Sequence, residues 1–231
     1  MTSVANGIRV AIDGPSGSGK SSVSKKVAAH LGIGYLDTGA MYRALTWYCL
    51  DRGIDLDDQG AVADAVTAMP LEMGTDPSAP SISMGGTRID TDIRTTRIAE
   101  VVSKVATNLQ VRPKLQQRQR ELMAQIAARQ GGVVAEGRDI TTVVAPDADV
   151  RILMVASEAA RLARRSKELH GGADDAAIAA TRTQIVDRDK ADSTVSSFMS
   201  AADGVVTLDT SDLTFQQSVE AVLTLVERAR G

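Results

Sequence analysis

The sequence predicts an α/β fold, a doubly wound five-stranded parallel sheet with helices on both faces. Short apolar runs alternate along the chain with longer stretches in which apolar residues recur at helical spacing. A glycine-rich loop joins the first apolar run to the first helical stretch. The unit of strand, loop and helix then recurs, which is typical of parallel sheets whose faces are covered by helices.

The predicted elements follow one another along the chain. The strands are predicted at residues 8–12, 34–36, 133–135, 150–155 and 205–208. The helices are predicted at residues 21–31, 40–52, 113–130, 158–169 and 215–229. Gly32 follows the first helix, where glycine commonly ends helices. The last helix carries Val219, Val222 and Val226 at the spacing of a face packed on a core.

Residues 56–95 break this rhythm. The stretch contains three prolines, and Gly85-Gly86 lies between two short apolar runs, a signal for a two-residue hairpin turn. We therefore predict a small antiparallel insert at residues 56–95, with residues 1–55 and 96–231 forming the core domain. A long loop without regular structure is the alternative.

Composition limits the classes of function. The chain has 231 residues, 43% of them hydrophobic, which is enough for a substantial core. Its net charge of −3 and 3% aromatic content argue against a general nucleic-acid or membrane-surface role. The only cysteine, Cys49, lies in an apolar stretch, and residues 1–7 do not have the pattern of a signal segment. We expect a cytoplasmic monomer that binds neither nucleic acid nor membrane.

The glycine-rich loop satisfies the Walker A pattern of phosphate-binding loops. It leaves a predicted strand and opens a predicted helix, so its amides and the helix amino terminus can surround phosphate oxygens. Lys20 is expected on the β- and γ-phosphates of ATP, and Ser21 on Mg²⁺. The predicted ATP-binding residues of this loop are Gly14, Pro15, Ser16, Gly17, Ser18, Gly19, Lys20, Ser21 and Ser22.

Other motifs narrow the class of P-loop protein. The base-reading Asn-Lys-x-Asp motif of GTPases is missing from the sequence. The strand at 133–135 leads to Glu136, not to the Asp that follows an apolar strand in motor and transporter ATPases. The chain length suits a kinase of small metabolites, whose acceptor site is made by segments inserted between the strands of the sheet.

Two polar motifs follow predicted strands. Asp37 to Arg43 reads DTGAMYR and Glu136 to Asp139 reads EGRD, each at the carboxyl end of a strand, where open α/β sheets bind ligands. Gly137 within the second motif is expected to let a ligand approach the backbone. A helix cap and a surface ion pair are the alternative interpretations of these motifs.

Arginines are also concentrated in the last third of the chain. Arg161, Arg164 and Arg165 lie on one helical face, and Arg188 and Asp192 follow further along. Beside a P-loop, these arginines suggest a lid that clamps phosphates, at residues 158–192. A solvated helix surface is the alternative interpretation.

Four motifs of this chain together resemble, in order and spacing, those of the bacterial cytidylate kinases. They are the P-loop, residues 36–43 (LDTGAMYR), residues 136–144 (EGRDITTVV), and Arg188-Asp189 with Asp192. The resemblance covers nearly the whole chain. It implies transfer of the γ-phosphoryl group of ATP to CMP or dCMP, with Mg²⁺ as cofactor. It also implies an enlarged nucleoside-monophosphate-binding insert where residues 56–95 lie. One departure is Thr38, where many relatives have serine.

The resemblance assigns roles to single residues. Those implied at CMP are Thr38, Tyr42, Arg43, Ser103, Arg112, Arg138, Asp139, Arg188 and Asp192. Ser103, Arg112 and Asp139 are implied at the cytosine, and Arg188 with Asp192 at the sugar. Arg161 and Arg165 are implied at ATP, and Lys20, Arg138 and Arg188 in catalysis.

The predicted chemistry needs alignment and neutralised charge more than covalent help from the protein. The acceptor is already a phosphate oxygen with a second pKa of about 6, so it needs no general base. Two other functions stay open at this point. One is a P-loop kinase of another small molecule, such as UMP or a sugar acid, and the other is a regulator that binds nucleotide without turnover.

Overall fold

The computed structural model describes residues 7–170 and 175–231. Positions 1–6 at the amino terminus and positions 171–174 within the predicted lid segment lie outside the described residues. The strands are β1 (Ile8–Asp13), β2 (Gly34–Asp37), β3 (Leu71–Met73), β4 (Ile82–Met84), β5 (Thr87–Arg88), β6 (Gly132–Gly137), β7 (Val150–Val155) and β8 (Val206–Asp209). The helices are α1 (Lys20–Leu31), α2 (Thr38–Asp51), α3 (Gln59–Ala68), α4 (Thr96–Ala106), α5 (Val111–Gln130), α6 (Glu158–His170), α7 (Asp175–Ser193) and α8 (Phe215–Arg230).

The predicted five-stranded parallel sheet is confirmed. Its strand order is β2-β6-β1-β7-β8, and every pair in it is parallel. The strand β1 lies in the middle, with Asp13 beside Gly137 of β6 and Leu153 of β7. The carboxyl ends of β1, β2 and β6 therefore meet at one edge of the sheet, and the loops that leave them share that edge.

Helices cover both faces of this sheet, as predicted. On one face, Val10 and Ile12 of β1 pack with apolar residues of α1 and α8. On the other face, Ala11 packs with Met123, Ile126 and Ala127 of α5. Successive residues of a strand point to opposite faces, so a strand buried on both sides reads as a continuous apolar run.

The insert forms a small antiparallel sheet, so the alternative of an irregular loop is wrong. β3, β4 and β5 are consecutive antiparallel strands within it. Gly85 and Gly86 make the turn between β4 and β5 with φ of 56° and 80°, values that glycine adopts without strain. Ile82, Met84 and Ile89 of the insert share one apolar core with α2, α4 and α5.

Several helices of the structure were not predicted from the sequence. α3, α4 and α7 lie where we predicted no helix, and a single π-helical turn, Ile140–Val144, follows β6. Asp58 caps the amino terminus of α3, because its side chain accepts a hydrogen bond from the Ala61 amide. Cys49 is buried, as expected, and burial raises the pKa of its thiol to about 11.

Candidate active site

A cavity of about 910 Å³ opens at the carboxyl edge of the parallel sheet. Its wall is made by the P-loop, the start of α2, the segment after β6, part of the insert, and helices α6 and α7. The volume lies within the range of small-molecule sites. Ser18 Oγ, Arg188 Nε and Asp192 Oδ1 at this wall are buried without a hydrogen-bond partner among the described residues. Such atoms favour a polar ligand, since a buried polar group left unpaired is costly.

The P-loop has the backbone that its glycines allow. Gly17 and Gly19 have φ of 77° and 89°, and a Cβ on Gly17 would lie 2.6 Å from the Arg161 carbonyl oxygen. Gly19 ends the loop where α1 begins, so the helix amino terminus faces the cavity. Lys20 is partly buried, and its Nζ donates to the Pro15 carbonyl oxygen at 3.3 Å. Desolvation of its ammonium group lowers its pKa.

Oxygen ligands are gathered beside Lys20. The Ser21 hydroxyl donates a hydrogen bond to the Glu136 carboxylate, and Tyr35 Oη donates to Glu136 Oε1 at 3.0 Å. Burial, followed by the nearby Asp37 carboxylate, raises the pKa of Glu136. A hydroxyl and two carboxylates suit Mg²⁺, which prefers oxygen ligands and keeps waters and substrate phosphates as its other ligands. Sequence reasoning named Glu136 and Asp37 only within their motifs and gave neither a role.

Arg138 is held on several sides. It donates to Ser16 Oγ at 2.7 Å and to Asp189 Oδ1 at 2.8 Å, and it forms an ion pair with Asp192. Its guanidinium carbon lies 4.9 Å from the centre of the buried Phe198 ring, at cation–π distance. Burial lowers the pKa of Arg138 to about 10. The arginine therefore has a fixed position at the cavity wall.

Arg43 and Arg188 complete a cationic cluster with Arg138. Burial, followed by the charge of neighbouring arginines, lowers the pKa of Arg43 to about 9. The same two causes lower the pKa of Arg188 to about 9. Arg43 donates to the Ile93 carbonyl oxygen at 3.2 Å. Buried guanidinium groups that repel one another are typical of a site for an anion, which would relieve the repulsion.

A second polar cluster lies at Asp139. Arg112 Nη2 and Gln116 Nε2 both donate to Asp139 Oδ2, at 2.6 and 2.7 Å. Arg112 also donates to Ser196 Oγ at 2.9 Å. Both donors therefore reach the same oxygen of the Asp139 carboxylate. Asp139 and Arg112 line the cavity, so a ligand can approach the carboxylate there. Sequence reasoning missed Gln116, because glutamine on a helix carries no signal of its own.

The remaining predicted residues are distributed around this cavity. Thr38 lines it and donates to the Glu136 carbonyl oxygen at 2.8 Å, and Tyr42 also lines it. The space beside Gly137 is filled by Thr38 Oγ1, 2.5 Å from where a Cβ would lie, so packing requires a glycine here. Gly137 also lines the cavity, and the expected approach of a ligand to its backbone stays a prediction. Ser103 does not line the cavity, although Ala99 and Ala106 do and lie on the same face of α4.

The lid arginines divide into two groups. Arg164 and Arg165 line the cavity, together with Ser22 of the P-loop. Arg164 also donates to the Thr210 carbonyl oxygen at 2.5 Å. Arg161 instead donates to the Ser16 carbonyl oxygen at 3.0 Å and pairs with Asp189 behind the wall.

Asp13 fixes the segment that carries Arg138 and Asp139. Its carboxylate accepts hydrogen bonds from the Ile140 amide, the Thr141 amide and the Thr141 hydroxyl, at 2.9, 2.8 and 2.6 Å. Burial raises its pKa to about 6. A lone aspartate at a strand end gave no signal that it would reach residues more than a hundred positions later in the chain.

A P-loop on a parallel sheet, facing a cluster of buried arginines across one cavity, defines the class of P-loop kinases. Within that class, residues 10–228 match the family model for cytidylate kinase. The chain belongs to the cytidylate kinase family.

Relatives of known name support the same assignment. The chain is 49% identical to the cytidylate kinase of Streptomyces avermitilis, over 96% of this chain and 94% of that protein. It is 47% identical to the cytidylate kinase of Streptomyces coelicolor, over 98% of this chain and 96% of that protein. The match to one solved structure, TT1252 from Thermus thermophilus, covers 97% of this chain and 98% of the TT1252 chain. The two chains are 17% identical, and the TM-score is 0.46. That likeness adds nothing to the family assignment.

Proposed function

We propose that this protein transfers the γ-phosphoryl group of ATP to CMP or dCMP, giving ADP and CDP or dCDP. The observation that carries the proposal is that a P-loop and a separate cluster of arginines line one cavity, so that each can bind a phosphate group. The P-loop contains Lys20, and the cluster contains Arg43, Arg138 and Arg188. A nucleotide-binding regulator needs only the P-loop.

ATP is expected on the P-loop, with Lys20 donating to its β- and γ-phosphates. Arg164 and Arg165 line the same cavity from α6 and can contact its phosphates. Ser21, Glu136 and Asp37 would hold Mg²⁺, which supplies positive charge to the phosphate oxygens when it is bound. Among the described residues, no group of three or more His, Cys, Asp or Glu could hold a metal alone, so the nucleotide would supply further ligands.

The acceptor phosphate is expected at Arg43, Arg138 and Arg188. These arginines keep the acceptor oxygen in line with the γ-phosphorus and offset the negative charge that two nucleotides bring together. The acceptor phosphate is mostly deprotonated at neutral pH, so the site needs no general base. Among the described residues that line the cavity there is no histidine.

The cytosine is expected at Asp139 and Arg112. Arg112 and Gln116 both donate to Oδ2 of Asp139, so Oδ1 can accept from the N4 amino group of cytosine. Uracil presents an oxygen at that position, and two acceptors would face each other. The sugar is expected at Asp192, whose Oδ1 has no hydrogen-bond partner among the described residues and can accept from a ribose hydroxyl.

The insert at residues 56–95 and the lid at 158–192 are proposed to close over the substrates. Met73, Gly74 and Ser81 of the insert line the cavity, and so do residues of α6 and α7. Closure would exclude water, which otherwise competes for the transferred group. We also propose that the protein acts as a monomer. Within the described part of the chain, no helix has the length and apolar character to span a membrane.

A screen of acceptors tests the proposal. Purified protein is incubated with ATP, Mg²⁺ and one acceptor at a time: CMP, dCMP, UMP, AMP or a sugar acid. ADP release is measured by a coupled assay, and the product is identified by chromatography. We expect CDP and dCDP in one-to-one ratio with ADP. A kinase of another small molecule would release ADP with a different acceptor, and a nucleotide-binding regulator would release none.

A further inference from the structure

Asp189 on α7 joins three separate parts of the site. Its Oδ1 accepts from the Ser16 amide of the P-loop at 3.1 Å and from Arg138 Nη2 at 2.8 Å. Its Oδ2 forms an ion pair with Arg161 of α6. The residue is only 5% exposed. One buried carboxylate therefore connects the ATP loop, an acceptor-site arginine and the lid.

Asp189 lies behind the cavity wall. Asp192, one helical turn later on α7, lines the cavity, and Asp189 does not. Its partners Ser16 and Arg138 do line it. Asp189 thus acts on the substrates only through residues that contact them, which distinguishes a positioning residue from a catalytic one.

The charge of Asp189 matters as well as its shape. It offsets buried cations, because Arg138 and Arg161 pair with it directly and Lys20 and Arg188 lie within its field. Without this charge, the guanidinium groups of Arg138 and Arg161 would repel each other across the position that Asp189 now occupies. Arg138 and the lid would then move relative to the P-loop.

We propose that Asp189 is a positioning residue for phosphoryl transfer, one that fixes the P-loop, Arg138 and α6 in a single arrangement. This inference rests on the proposed function, since it assumes that ATP lies on the P-loop and the acceptor at Arg138. In-line transfer depends on alignment, and a displacement of about 1 Å can reduce the rate about 100-fold.

The test compares Asp189→Asn with Asp189→Glu and with the control Asp203→Asn. Asparagine keeps the shape and removes the charge, and glutamate keeps the charge on a longer side chain. Asp203 has an exposed side chain outside the cavity. Arg161→Gln is a second variant, which breaks one contact of Asp189 and leaves its charge in place.

Three quantities are measured on each folded variant: kcat, KM for each substrate, and ATP hydrolysis without an acceptor. Competent sites are counted by titration with a tight ATP analogue. For Asp189→Asn we expect kcat per competent site to fall about 10- to 100-fold. We also expect the ratio of acceptor-free hydrolysis to transfer to rise at least about tenfold, because a loosened lid admits water. Arg161→Gln should change both quantities in the same direction by less, Asp189→Glu should lie between wild type and Asp189→Asn, and Asp203→Asn should match wild type.

A purely structural role for Asp189 predicts fewer competent sites, with normal kcat and a normal hydrolysis ratio at each of them. That result would overturn the inference and leave the proposed function standing. Wild-type protein that transfers no phosphoryl group to CMP would overturn the proposed function, and this inference with it.

Discussion

The cationic side chains of this site are buried away from the bulk water that would otherwise stabilise their charge. Burial lowers the pKa of Arg43 and Arg188 to about 9, and the pKa of Lys20 is also lowered. Groups in this condition gain from an added anion more than exposed cations do, because screening is weaker in a buried site. These residues therefore favour the binding of a phosphate group.

Lys20→Ala tests the role of the P-loop ammonium group. We expect kcat to fall at least about 100-fold, by analogy with other lost electrostatic contacts to a transition state. The matched control is Lys26→Ala, an exposed lysine on the same helix, which should keep wild-type kinetics. Steady-state rates with CMP and circular dichroism spectra are compared for both. Near-normal turnover by folded Lys20→Ala would contradict the assignment.

Asp192→Ala tests the proposed sugar contact. A hydrogen bond from a hydroxyl to a carboxylate is worth about 1.5–3 kcal/mol, so its loss should change the CMP-to-dCMP ratio of kcat/KM about tenfold or more. The KM for ATP should change by much less. Equal effects on both acceptors, together with a raised KM for ATP, would place Asp192 at the ATP phosphates instead.

The sequence was informative about residues that belong to a local motif. Lys20 and Ser21 were predictable from the spacing of the P-loop, and Arg138 and Asp139 from their place at a strand end. Asp189 and Gln116 were not given roles, because their importance comes from contacts distant in the chain. The Ser16 amide and the Asp189 carboxylate are 173 positions apart, and no local pattern records such a contact.

Whole elements are also fixed by a few contacts. Arg118 on α5 donates to the Leu71 carbonyl oxygen at 2.6 Å and to the Met69 carbonyl oxygen at 3.5 Å, at the start of the insert's sheet. These bonds tie the insert to the helix that also carries Arg112 and Gln116. The insert's position over the end of the cavity where we propose that the acceptor binds therefore depends partly on α5.

Arg118→Ala should loosen the insert. Loss of charge-assisted hydrogen bonds to these carbonyl groups should lower the free energy of unfolding by about 2 kcal/mol. We expect the KM for CMP to rise about three- to tenfold, whereas the KM for ATP stays close to wild type. Gln117→Ala, at the neighbouring exposed position, is the control. If both KM values rose equally, the insert would not act on the acceptor alone.

Most strands and helices of the parallel-sheet domain were predictable to within a few residues, and so was the hairpin of the insert, whereas α3, α4 and α7 were not predicted. β7 occupies the predicted residues 150–155, and α8 extends one residue past its prediction, because apolar spacing on a two-layer core is a strong signal. α7 was missed, since apolar residues do not recur at a regular helical spacing in its sequence. Two of its buried residues, Asp189 and Asp192, are charged and form ion pairs with Arg138. Because the site needs polar residues on this helix, the helix lacks the apolar periodicity from which helices are predicted.

The molecule as a whole combines a rigid sheet with a site built from three distant segments. Two apolar clusters fix the sheet from both sides, and Asp13 joins the end of its central strand to the segment after β6. This carboxylate is fully buried, which makes the stability of the whole fold sensitive to its protonation.

Asp13 should give the fold a defined pH dependence. Its pKa rises from 3.8 to about 6 on folding, so the folded state keeps the proton to a higher pH than the unfolded chain does. The resulting stabilisation is fully present below about pH 4 and is lost as the pH rises through about 6, a change of about 3 kcal/mol.

The comparison of wild type with Asp13→Asn isolates this contribution. Free energies of unfolding are measured by urea titration between about pH 4 and pH 9. We expect the difference between the two proteins to vary by a few kcal/mol across that range and to be constant above about pH 7. A difference that does not vary with pH would show that Asp13 has an ordinary pKa in the folded protein.

Acceptor competition tests the central claim, that this fold builds a phosphotransferase selective for cytidine nucleotides. Equal concentrations of CMP and UMP are offered together with ATP and Mg²⁺ to wild type and to folded Asp139→Ala, and the initial rates of CDP and UDP formation are compared. A buried group left unpaired costs about 1–3 kcal/mol, and a charged one more, so wild type should form CDP at least about tenfold faster than UDP. Asp139→Ala should narrow that ratio by losing CDP formation far more than UDP formation. Equal rates for wild type, or an unchanged ratio in Asp139→Ala, would contradict the account.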